Sequence, residues 1–70
     1  MQEKLYTIRR RKGYTQEYIA KQLGISKTQY GLKERGVYEF TSDEMFSLSE
    51  LFGDKIDNIF MPRSHRIGDK

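Results

Sequence analysis

The sequence predicts a small all-α domain of five short helices. Three observations carry that expectation. Apolar side chains recur at three- and four-residue intervals, glycines stand where those runs stop, and no stretch reads convincingly as a strand. Seventy residues suffice for one compact domain. A domain of that size buries only a small core, so assembly with a second copy would help it.

The first helix is expected over residues 2–12, with Leu5 and Ile8 on one face and Gly13 as its stop. The second opens at Thr15, an N-cap candidate, and runs to Leu23 with Ile19, Ala20 and Leu23 on one side. Gly24 ends it, because a helix C-terminus often needs the left-handed conformation that glycine takes freely. The third opens at Ser26 and stops near Arg35 and Gly36. The linker "GVYEF" has β-branched and aromatic residues but is too short for an independent sheet. The fourth opens at Thr41 or Ser42, where Thr41 and Glu44 fit a capping box; its apolar face is Met45, Leu48, Leu51 and Phe52. The fifth, over 55–60, presents Ile56, Ile59 and Phe60. Pro62 is expected to close a domain spanning 1–62, leaving 63–70 as a polar tail.

The second and third segments, "TQEYIAKQLGISKTQYGLKERG", are joined only by Gly24, Ile25 and Ser26. Two helices linked by so short a glycine turn make a helix-turn-helix, here at about 15–35. The third segment is polar for a core helix, with Lys27, Thr28, Gln29, Lys33 and Arg35 around Tyr30 and Leu32. A protruding helix ~10–12 Å across fits a DNA major groove about 12 Å wide.

Charge is distributed unevenly around that motif. Residues 1–35 hold nine basic and three acidic side chains, whereas 36–70 hold four basic and seven acidic, within a total of +3. A one-sided positive field suits a polyanion binder, although solvated surface cations would produce the same count.

The runs from Gly13 to Ser26 ("GYTQEYIAKQLGIS"), Glu34-Arg35-Gly36 and "DKIDNIF" together resemble Cro/repressor-type helix-turn-helix domains of phages and mobile elements, the xenobiotic-response-element class. The resemblance spans about residues 4–62 and implies a five-helix, lambda-repressor-like fold. It further implies a sequence-specific regulator of transcription, of the repressor type, that binds palindromic double-stranded operator DNA as a homodimer. Gln16 matches the position whose amide bonds a phosphate and buttresses the recognition helix. Ser26, Lys27, Thr28 and Gln29 match that helix's first turn. Lys27 can donate to guanine O6/N7 or to a phosphate, Thr28 can bond a base or touch a thymine methyl, and Gln29 can pair with adenine or reach a phosphate. Lys27 and Thr28 are the expected base readers. Leu32 either contacts a thymine methyl or joins the core. Arg9 and Glu34 match an internal ion pair that sets the angle of the third helix. Ser26, Lys33, Arg35 and Tyr38 complete the expected phosphate contacts, and one or two of Arg10, Arg11 and Lys12 can reach the backbone.

Lys33 departs from the family, which places an apolar residue there. Leu32 is expected to take over its packing by a small rotation of the helix, with Gly31 permitting close approach. The five tyrosines read as packed side chains rather than base-stacking platforms. Ile56, Ile59, Phe60 and Met61 form the expected apolar patch for dimerisation.

Other classes find little support. The chain lacks cysteine, which excludes disulfides and thiolate-held metals, and its one histidine, His65, falls in the tail. Glu44 and Glu50 read as solvated charges, and the scattered glycines do not make a phosphate-cradling loop. No apolar run nears the ~20 residues of a membrane span, and the N-terminus lacks a signal-peptide apolar region. A cytoplasmic protein is expected, without enzymatic activity, cofactor or small-molecule ligand. With little chain after the fifth segment, control is expected through concentration, a partner protein or proteolysis. The alternative function is protein binding on the same fold, as in an antirepressor, adaptor or antitoxin.

Overall fold

In the computed structural model, which describes residues 1–60, five α-helices follow in order. They are α1 (Glu3–Lys12), α2 (Gln16–Leu23), α3 (Lys27–Glu34), α4 (Ser42–Phe52) and α5 (Ile56–Ile59). No strand occurs among the described residues, and none of the helices is long and apolar enough to cross a membrane. Met61, Pro62, His65 and the tail expected at 63–70 lie outside them.

The helix starts follow local chemistry. Thr15 Oγ1 accepts the Tyr18 N–H at 3.0 Å, and Ser26 Oγ accepts the Gln29 N–H at 3.0 Å. At α4 the capping box is complete: Thr41 Oγ1 accepts the Glu44 N–H, and Glu44 Oε1 accepts the Thr41 N–H. Each such cap satisfies donors that the first turn leaves unpaired.

Leu5 of α1, Ile19 and Ala20 of α2, Tyr30 of α3, Leu48 and Phe52 of α4, and Ile59 of α5 are buried together. Two residues outside the helices join them. Phe40, in the loop before α4, stands edge-on between Tyr30 and Phe60, with ring centroids 5.9 and 5.2 Å away. This aromatic row ties α3 to the end of α5.

The placement of α5 corrects the expected dimer patch. Ile59 is fully buried, Phe60 is 8 % exposed and Ile56 is half-buried. The helix is a single turn that packs on α1 and α4, so its apolar side completes the protein's own core. Its fourth expected member, Met61, lies outside the described residues.

Candidate nucleic-acid interface

The geometry of the α2–α3 pair starts at Gly24, whose φ of +73° is left-handed. Its N–H bonds the Lys21 carbonyl at 3.2 Å and the Ile25 N–H bonds the Ala20 carbonyl at 3.0 Å, closing α2 and turning the chain into α3. Ser26 then caps α3, so the whole connection consists of a helix stop followed at once by a helix start.

Beneath this pair lies a polar network that bonds three helices to one carboxylate. Glu34 of α3 is 2 % exposed and Arg9 of α1 is 6 % exposed. Arg9 Nε donates to Glu34 Oε2 at 2.8 Å and Nη2 to Oε1 at 3.3 Å. Gln16 Nε2 of α2 donates to Oε1 at 2.9 Å, and the Tyr30 hydroxyl donates to Oε2 at 2.8 Å. Arg9 Nη1 also holds the Tyr14 carbonyl at 2.9 Å. Burial pushes the Glu34 carboxyl up, but the bonds from Arg9, Gln16 and Tyr30, with the Arg9 charge, outweigh it and hold the group below its usual range. Burial would lower the Arg9 guanidinium, yet Glu34 raises it. Burial, then the bond to Glu34, drive the Tyr30 phenol well above its ordinary value.

This network sets which side of α3 faces outward. Tyr30 and Glu34 are its buried residues, whereas Lys27, Thr28 and Gln29 are exposed and Leu32 is half-buried. At 3.6 residues per turn, Leu32 stands roughly opposite the Tyr30–Glu34 side, with Thr28 and Gln29 flanking it. Arg35 and Tyr38, just past the helix, are exposed. Gln16, expected at a phosphate, is half-buried with one amide hydrogen on Glu34.

Lys33 behaves differently from the expectation of a phosphate contact. Both Glu44 oxygens grip its ammonium, at 2.7 and 2.8 Å, and the paired side chains are 14 % and 11 % exposed. The ammonium also sits 5.9 Å from the centroid of Phe40. Lys33 thus fills the position by lying along the loop and pairing with α4, and Glu44 is a bound counter-ion rather than a solvated charge. Leu32 does not take over the packing expected of it: it is half-buried, and Tyr30 and Glu34 form the buried side of α3. Nor does Gly31 admit a close approach: a Cβ there would come no nearer than 3.9 Å, to Gln16 Oε1.

The sequence reading missed the Tyr30 and Gln16 bonds to Glu34 and the Lys33–Glu44 pair. Tyr30 and Glu34 stand four apart on one helix, a legible spacing. Gln16 and Glu34 come from different helices, and no local pattern announces their contact.

A five-helix fold with a capped helix-turn-helix of this geometry defines a class, and the chain belongs to it. The helix-turn-helix family model matches residues 5–57, and the match is of the Cro/C1 type. An uncharacterized HTH-type transcriptional regulator of Methanocaldococcus jannaschii is 36 % identical over 61 residues, covering 87 % of this chain and 92 % of that protein. No solved structure matches the chain significantly.

Proposed function

We propose that this chain is a sequence-specific double-stranded DNA-binding regulator of transcription that acts as a repressor. The observation that carries this reading is the outward turn of α3, where Thr28, Gln29 and Leu32 face away from a carboxylate network that bonds the helix to α1 and α2. Side chains of these types read base edges: Thr28 and Leu32 suit thymine methyls, and Gln29 suits adenine. Arg35, Tyr38, Ser26 and Gln16 flank that face as contacts to the sugar-phosphate backbone. The name of the Methanocaldococcus jannaschii relative supports regulation of transcription.

One such helix reads only a few base pairs. Two copies on a palindromic operator, with α3 helices about 34 Å apart, supply the specificity a regulator needs. The protein acts in the cytoplasm, on DNA, as a binding module without catalysis, and residues 1–62 are its domain. Its resemblance to phage and mobile-element regulators of the xenobiotic-response-element class supports an origin in such an element.

Titration of a random-site-selected duplex at several salt concentrations tests the reading. Affinity should fall steeply with salt, each neutralised phosphate adding about 0.9 to the slope of log K against log salt. A chain that gives no duplex shift at low salt, or no preference between selected and scrambled duplexes, is not this regulator.

A further inference from the structure

Lys27 and Thr28 are neighbours in the first turn of α3, yet the fold points them at different things. Lys27, Gly31 and Glu34 are spaced i, i+4 and i+7, so Lys27 lies only roughly 40° around the helix from the buried side. Gly31, on that same side, has Gln16 of α2 as its neighbour. Thr28 stands about 100° and Leu32 about 140° around the helix from Lys27.

Lys27 accordingly borders a shallow depression between the end of α1 and the starts of α2 and α3. Arg9, Arg10, Gly13, Tyr14, Thr15 and Gln16 line it, along with Glu17. Arg10 does not swing freely at its edge. Its Nη1 donates to the Tyr6 hydroxyl at 2.7 Å, and the guanidinium lies 5.5 Å from the Tyr6 ring centroid. The cations of Arg9 and Lys33 are spent on Glu34 and Glu44, whereas Arg10 and Lys27 have no carboxylate partner among the described residues. Two cations free of ion pairs among the described residues therefore line one concavity from different helices, with Glu17 the one carboxylate beside them that neither bonds, so the depression keeps an excess of positive charge.

We infer that Arg10 and Lys27 together clamp a single DNA phosphate at this depression, so that Lys27 grips the backbone and base reading falls to Thr28, Gln29 and Leu32. The assignment rests on the proposed DNA-binding function and divides the labour within it. A lysine facing the depression is turned from the groove floor, where guanine O6 and N7 lie, and toward the rail beside it. Arg10 faces the same rail from α1, where it lines the depression while its guanidinium rests on Tyr6.

The test uses the full chain and a selected duplex in which each phosphate in turn is replaced by a neutral methylphosphonate. For the wild-type protein one linkage should stand out. Lys27→Ala and Arg10→Ala should each weaken binding to all sequences alike, flatten the salt slope by up to about 0.9, and lose sensitivity at that same linkage. Lys27→Arg, which keeps the charge, should keep the sensitivity. Lys27 is exposed and unbonded, so Lys27→Ala should melt like wild type, whereas Arg10→Ala loses its exposed Tyr6 contact and should melt only slightly lower. The clamp is overturned if Lys27→Ala changes the preferred base at any position, or if the two variants go blind to different linkages. Failure of the wild-type chain to bind any duplex is a separate outcome, removing the parent function and the clamp with it.

Discussion

Glu34 is the residue on which the geometry of α3 depends. A carboxylate at 2 % exposure survives only because donors from three helices satisfy it. Its pH signature follows from the depressed carboxyl. Its stabilising effect is complete above the ordinary glutamate range of the unfolded chain and is lost as pH falls through the lower folded value. Tyr30→Phe removes one of its donors while keeping the ring. It should cost about 1.5–3 kcal/mol at neutral pH and move the acid loss of stability to higher pH. Urea unfolding at a series of pH values reads both effects, and an unshifted acid limb would show that the hydroxyl does not bear on Glu34. At this scale the sequence was legible for Arg9 with Glu34, through resemblance. It was not legible for Lys33 with Glu44, whose contact requires the loop before α4 to fold back.

At the scale of elements, the two glycines of the helix-turn-helix make opposite demands. Gly24 holds φ at +73° in open space, so Gly24→Ala meets no clash but forces a side chain into the left-handed region, at about 1–2 kcal/mol. Gly31 sits in the interior of α3, and a Cβ there makes only ordinary contact with Gln16. Gly31→Ala should therefore stabilise the domain by about 0.5–1 kcal/mol. Thermal melting of both variants checks the pair; a destabilising Gly31→Ala would mean that α2 lies closer to Gly31 than an ordinary contact with Gln16. All five helices were legible from apolar spacing, and α2, α3 and α4 also from their N-caps, because each of those caps is a contact three residues away. The burial of Phe40 was not, since "GVYEF" shows no period and its ring is claimed by Tyr30 and Phe60 from distant parts of the chain.

Across the whole molecule, polarity divides the chain between a cation-rich helix-turn-helix half and an acidic remainder. That division favours approach to DNA from one side. Assembly is affected too: of the side chains expected to pair two copies, Ile59 and Phe60 are buried and Ile56 is half-buried in the core of one. Among the described residues, the large apolar side chains left exposed to a second copy in the proposed dimer are Met1, Tyr18, Val37, Tyr38 and Phe46. Sedimentation with a palindromic duplex should give two chains per duplex, and substitution of Phe60 should unfold the chain rather than split the dimer. One chain per duplex at saturation would remove the palindromic arrangement. The sequence by itself determined the helices, their stops and the helix-turn-helix, because capping, periodicity and glycine conformation are short-range and each is written within one turn. Only the tertiary structure decided which side of α3 is buried, which cations remain uncompensated and that α5 faces inward. Those outcomes depend on side chains that meet across the core, where any of several charged or apolar partners would satisfy the local pattern equally well.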